Sequence, residues 1–220
     1  MNTTFNHVKP LYEQAYDLVK RLILYGKIAP GEKVIVAKLA DDLNISRTPL
    51  REAFRQLLKE QLVTVDRNGV LRVIDLEFDD LDALYDCRKI TEKEFIANIT
   101  TSISDANLLR IEQQIDYAKR LSNEQPDECI EFFVNVYSIL IDACTNRRLA
   151  QLVQSVHSLL LIYVAPTIRE SFTERIAEQE QLLFAMQSRD ESKAIQAITS
   201  IIESERNRGI VYLNERSLDT

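Results

Sequence analysis

The chain has 220 residues, 45% of them hydrophobic, and carries 27 Lys and Arg against 34 Asp and Glu for a formal net charge of −7. That is enough apolar material for one larger core or two small ones. With only 4 Gly and 5 Pro, and no long alternating β-branched runs, a mostly helical protein is expected. Cys87, Cys129 and Cys144 are odd in number and lack paired metal spacing, which points to reduced, buried thiols rather than a disulfide framework. The opening MNTTFNHVKP has no apolar leader core, and the apolar run LLLIYVA near position 160 falls short of a membrane span. A cytoplasmic protein without membrane contact is expected.

Residues 1–9 read as a loose arm. From Leu11 to Tyr25 the residues Leu11, Ala15, Leu18, Val19, Leu22 and Ile23 recur at helical spacing, and Gly26 ends the helix. Ile28, Pro30 and Gly31 form a turn, and Val34 and Ile35 suggest a short strand. The stretch from Leu39 to Leu57 then reads LADDLNISRTPLREAFRQL. Leu39, Ala40 and Leu43 form one apolar face. Asn44 tolerates the left-handed backbone of a sharp turn, and Ile45 returns to the core. Ser46 is a good N-cap, and Pro49 falls in the first turn of the next helix, where a missing N–H costs little.

That next helix buries Leu50, Ala53, Phe54 and Leu57, and its leading turn offers Ser46, Arg47, Thr48 and Arg51 on the opposite face. Two guanidiniums and two hydroxyls at a helix N-terminus suit guanine edges and phosphates, the arrangement of a helix-turn-helix recognition helix. Beyond Glu60 the period changes to two. Leu62–Val65 and Val70–Val73 read as strands joined by Asn68-Gly69, the signature of a type I′ hairpin turn. A lone hairpin is marginal, so it must pack on the helices as a wing. Arg67, Asn68 and Gly69 at its tip suit minor-groove or phosphate contact.

SRTPLREAF, with the preceding PGEKV and LADDLNI, resembles the signature of the GntR family of bacterial transcription regulators. The resemblance implies a DNA-binding regulator acting as a homodimer on a palindromic operator, as a repressor. The charge distribution suits that role. Residues 1–75 carry 12 basic against 9 acidic side chains, and residues 76–220 carry 15 against 25, giving +3 and −10. The acidic part would face away from a phosphate backbone.

Two domains follow, a winged helix-turn-helix over 1–75 and an antiparallel all-helical bundle over 76–220, joined by a short, stiff linker at 74–78. In the bundle, helices are expected at 79–100 with Leu81, Leu84, Tyr85, Ile90, Phe95 and Ile96 as apolar positions, at 106–121, at 127–144, from 147 to about 163, at 173–188 and at 191–213. Asn123 to Pro126 reads as a loop. Pro166 should kink or end the fourth helix.

The patterns LEFDDLDALYDCRKITE, ACTNRRL and AEQEQLLFAMQSRDESKA resemble the FCD effector domain of the FadR branch of that family. Many FCD domains hold a divalent metal through an Asp and three His. By register those positions fall here on Phe133, Tyr137, Gln179 and, within a residue or two, Ile201, none of them a good ligand. No metal or other cofactor is therefore expected. The chain has two histidines. His7 lies in the arm, and His157 on the fourth bundle helix reads as a partly buried, satisfied histidine.

The resemblance also implies a small effector, often a carboxylate. Arg88 matches a characteristic arginine and would pair with such an acid, or else with Glu92 one turn on. Asn135, Tyr137 and Gln179 would line a polar effector pocket, or Phe133 and Tyr137 would fill the space as core. An alternative is a DNA-binding dimer whose helical domain only dimerises. No nucleophile elbow, phosphate loop or zinc helix is present, so an enzyme is not expected.

Overall fold

The computed structural model describes residues 9–75, 77–122 and 124–218. Most of the arm with its His7, Leu76 of the linker and Asn123 of the expected loop lie outside them. The chain divides into two compact units, Met1–Asp75 and Leu76–Thr220.

The first unit is built from α1 (Leu11–Leu24), α2 (Val36–Asp42), α3 (Arg47–Lys59), β1 (Val63–Val65) and β2 (Leu71–Val73). α3 packs its buried Leu50, Ala53, Phe54 and Leu57 against α1 and α2. Each large apolar side chain so buried contributes roughly 1.5–3 kcal/mol. α1 buries Ala15, Val19, Ile23 and Leu24, whereas Leu11 and Leu18 of the expected apolar face are exposed. The α1–α3 contact has a polar edge. The Tyr16 hydroxyl donates to the Glu60 carboxylate at 2.7 Å, and Lys20 Nζ pairs with the same group at 2.8 Å.

Asn44 holds a positive φ of 52° between α2 and α3, as its amide side chain permits. The strands are antiparallel, with Val63 opposite Val73 and Val65 opposite Leu71. Val34 and Ile35 do not form a strand. Only a single bridge joins Lys33 to Arg72, because the chain turns into α2 at Val36. Gly31, at φ 76°, lies so close to Asp75 that a Cβ would sit 2.7 Å from a carboxylate oxygen.

The hairpin turn also differs from expectation. Gly69 has φ 76°, but Asn68 is not among the positive-φ residues, so the turn is not type I′, which needs both. Instead Gly69 N–H donates to Asp66 O and Asp66 N–H donates to Val70 O, both at 2.9 Å, around a longer loop. Asp66 decides this. Its Oδ1 accepts from the backbone N–H of Asn68 and of Val70, each at 2.9 Å, an Asx arrangement that holds Arg67 and Asn68 in an ordinary right-handed turn.

The second unit comprises α4 (Phe78–Thr100), α5 (Asp105–Ala118), α6 (Pro126–Ala143), α7 (Arg147–Gln187) and α8 (Glu191–Leu218). α4, α7 and α8 pack mutually, and α5, α6 and α7 do so on the other side. Gly209 allows the close approach of α8 to α4, since a Cβ there would meet Leu81 at 3.3 Å. Ser104 caps α5 by accepting from Asn107 N–H, and Asn146 caps α7 through Leu149 N–H.

Three expectations for this unit are corrected. Pro166 does not end the fourth helix. α7 runs through it, and the break falls at Ser171, whose φ/ψ of −119°/15° is non-helical, so two expected helices are one kinked rod. Ile90 is not a core position but 74% exposed, while Arg88 and Glu92 on the opposite face are buried. Cys87 is exposed, unlike Cys129 and Cys144. By length and composition, Arg147–Ile168 would also suffice to cross a membrane, at a mean hydropathy of 1.4, a longer stretch than LLLIYVA alone suggests. Val153, Leu160, Ile162, Tyr163 and Ile168 from it are buried within the bundle.

Candidate functional site

The leading turn of α3 is the first candidate. Arg47, Thr48 and Pro49 are its first three residues, and Ser46 is the N-cap, with extended backbone at φ −71°, ψ 154°. The Ser46 side chain makes no capping hydrogen bond. The reason is local. An N-cap hydroxyl takes the N–H of the second or third helical residue, and the third here is Pro49, which has none. The first backbone N–H groups of α3 are thus left without a side-chain cap, and uncapped N–H groups at a helix N-terminus favour an anion.

Ser46, Arg47, Thr48 and Arg51 are all exposed, and neither arginine has an ion-pair partner among the described residues. The wing tip likewise exposes Arg67, Asn68 and Gly69. Asp66 beneath it stays ionised, its carboxyl held below the usual range first by the Val70 backbone N–H and then by that of Asn68. These seven residues are exposed in the first unit, whereas Pro49 of the same leading turn is half-buried.

The second candidate is the interior of the bundle. Arg88 of α4 is 1% exposed and fully engaged. Its Nε donates to Glu92 Oε1 at 2.9 Å, its Nη2 to the Tyr137 hydroxyl at 2.9 Å, and its Nη1 to Glu205 Oε2. Tyr137 in turn donates to Glu92 Oε2 at 2.9 Å. Arg175 of α7 donates Nη1 to Glu205 Oε1 at 3.1 Å, Nε to Ser171 Oγ at 2.8 Å and Nη2 to Thr167 Oγ1 at 3.0 Å. The His157 ring stacks on Tyr137 with centroids 3.5 Å apart. Two guanidiniums and two carboxylates thus form one network across α4, α6, α7 and α8.

Burial works against the charge on Glu205, yet Arg88 and Arg175 outweigh it and hold the carboxyl down at about 2. Glu92, with Arg88 as its one cation, is pushed up by burial instead. Burial, and then the Arg88 charge, lower His157 from 6.5 to about 3. Both the His157 and the Glu205 shifts make the fold acid-sensitive. At position 157 the unfolded chain binds more protons than the folded one from pH 6.5 down to about 3, so stability is full above 6.5 and falls with pH through that window. Glu205 adds its own loss from 4.5 down to about 2. His157 keeps some solvent contact, which screens part of the effect. We expect a loss of about 1–2 kcal/mol between pH 7 and 5, read as a lower urea midpoint. In His157→Phe, which retains the stack, that interval should be flat.

Of the expected effector residues, the structure brings Arg88 and Tyr137 into contact. Asn135, two residues from Tyr137, projects from another side of α6 and pairs with Gln114 of α5 at 3.4 Å. It does not join the cluster. Gln179 is buried one turn beyond Arg175. Arg88 has both the intrahelical partner the sequence offered, Glu92, and one it did not, Glu205. The sequence reading missed Arg175 and Glu205 altogether. Their signal was present: each interrupts an apolar stripe at helical spacing, Arg175 among Phe172, Ile176 and Leu182, and Glu205 after Ile198, Ile201 and Ile202.

At the positions matched by register to metal ligands, Phe133, Tyr137, Gln179 and Ile201 are all buried. A phenyl ring, an already bonded phenol, an amide and an alkyl group do not fit a divalent cation. Among the described residues no group of three or more His, Cys, Asp and Glu could hold one.

Residues 11–73 match the model of the bacterial regulatory proteins of the gntR family, and residues 83–204 match the FCD domain. The chain is 29% identical to the HTH-type transcriptional regulator YdhC of Bacillus subtilis, over 69% of this chain and 68% of that protein. It is 23% identical to the HTH-type transcriptional repressor RspR of Escherichia coli, over 92% and 90%. In fold it is similar to McbR/YncC of E. coli, with a TM-score of 0.75 at 19% identity, over 96% of this chain and 100% of that one. The helix-turn-helix and wing fall within the residues matched by the first model and most of the helical bundle within those matched by the second, and the protein is a DNA-binding transcriptional regulator of the GntR family with a C-terminal FCD domain.

Proposed function

We propose that the protein is a cytoplasmic homodimeric repressor whose two recognition helices read the halves of a palindromic operator, and whose FCD domain tunes that binding through a small acidic metabolite, without a metal. The observation that carries the DNA part is the leading turn of α3, with two exposed arginines and an uncapped helix end. A two-fold dimer matches two-fold DNA. The names of RspR and of the gluconate operon repressors among its relatives support repression.

An acidic effector is supported by two buried guanidiniums, Arg88 and Arg175. A second reading, an FCD domain that only dimerises, is favoured by one observation: both arginines already have carboxylate partners within the chain. Selection of bound sequences from random duplexes, followed by titration of the intact protein, tests the first part. We expect an enriched two-fold motif bound by a dimer, and an enriched single half-site bound by a monomer would overturn it. Native mass spectrometry of the purified protein separates the two FCD readings, since a dimer carrying a small organic mass supports the sensor and a bare dimer with no ligand-induced melting shift supports the dimeriser.

A further inference from the structure

Arg88 and Arg175 come from different helices and converge on one group. Each Glu205 oxygen accepts from a different arginine, Oε2 from Arg88 and Oε1 from Arg175. Each guanidinium is aimed by its other nitrogens, Arg88 by Glu92 and Tyr137, and Arg175 by Ser171 and Thr167. Beside them lies Tyr85, 2% exposed, its ring 6.0 Å from the Arg88 guanidinium. The Tyr85 hydroxyl is buried without a hydrogen-bond partner among the described residues.

Stability alone does not account for this arrangement. All three charged residues occupy core stripes, and a buried ion network is commonly no more stabilising than apolar residues of the same volume. Two oriented guanidiniums and a waiting hydroxyl are instead what recognition of a carboxylate requires. We infer that Arg88, Arg175 and Tyr85 form a carboxylate-binding site, and that its resident occupant is the chain's own Glu205, an internal stand-in for an acidic ligand.

This deepens the sensor reading and rests on it. A tethered carboxylate acts at a high effective concentration, so Glu205 excludes simple monocarboxylates. An acidic effector must displace it and bring a further contact, for which the Tyr85 hydroxyl is placed. Displacement would remove the side chain that links α8 to α4 and α7 through Arg88 and Arg175, leaving the Arg206–Asp82 and Arg208–Glu178 pairs to hold α8 at the surface.

The test uses the full-length Glu205→Ala variant with acetate as the probe. In chloride the variant should melt about 10 °C below the natural protein, as expected when one partner of a buried pair is lost. At matched ionic strength, about 50 mM acetate should raise the variant's melting temperature by roughly 3–5 °C, saturably, while acetamide does nothing and the natural protein does not respond. If the variant does not fold in chloride, refolding in acetate should restore its helical circular dichroism and refolding in acetamide should not. Acetate that changes neither melting nor refolding overturns the proposal. So does a saturable heat of acetate binding to the natural protein, since the site would then not be filled. Operator binding is measured separately, so either failure leaves the DNA-binding reading standing.

Discussion

Replacing Arg51 with alanine should weaken specific operator binding by about 1–3 kcal/mol, and replacing Arg47 should do the same. Both side chains are exposed on the leading turn of α3, outside its buried set Leu50, Ala53, Phe54 and Leu57, so their loss changes the surface and not the core. A bidentate contact to guanine demands the guanidinium fork, which lysine lacks. Arg51→Lys should therefore lose most of the specificity while keeping much of the affinity for unrelated DNA. Fluorescence anisotropy against operator and scrambled duplexes at several salt concentrations reads both quantities. An unchanged ratio between the two duplexes would remove these arginines from base recognition. A uniform loss with the salt slope reduced by about one would reassign them to phosphate.

Arg88→Met should destabilise the protein by about 3–5 kcal/mol, the largest single effect expected in the bundle. The substitution fills much of the volume but leaves Glu92, 1% exposed, without its cation, and takes one of two arginines from Glu205. Urea unfolding followed by circular dichroism measures the loss. Adding Glu92→Gln should recover part of it, because the buried charge is then gone and the amide can still accept from Tyr137. A cost below about 1 kcal/mol for Arg88→Met would mean that the network is weakly held.

The DNA-binding unit was readable because its determinants are local. Asn44 at the turn, Pro49 in the first turn of α3 and the apolar set Leu50, Ala53, Phe54 and Leu57 each act within a few residues, and all are realised. The hairpin was also local, but Asn68-Gly69 outweighed a neighbour in the reading: Asp66, whose side chain rewires the loop. The bundle was harder. Periodicity assigned Ile90 to the core because it is apolar, yet the face defined by Leu81, Tyr85, Phe95 and Ile99 contains Arg88 and Glu92 instead. Hydrophobicity alone cannot rank a charged residue as buried. That ranking depends on Glu205, 117 positions away from Arg88, a pairing with no trace in local spacing. The α7 break at Ser171 is similar, since Arg175 binds the hydroxyls of Ser171 and Thr167 across it and Pro166 alone gave the wrong place.

The Asp66 carboxylate has a consequence for association. Fixing the backbone of one residue costs about 1–2 kcal/mol of conformational entropy. Because Asp66 already ties down the N–H groups of Asn68 and Val70, that ordering is completed when the wing folds, not when it meets a duplex. On the proposed reading of the wing tip as a DNA contact, Arg67 is then carried on a preorganised loop, and less of its attraction to a duplex would be spent on immobilising the chain that bears it. An acidic residue next to a proposed DNA contact, unfavourable by charge alone, is in this way expected to favour the complex.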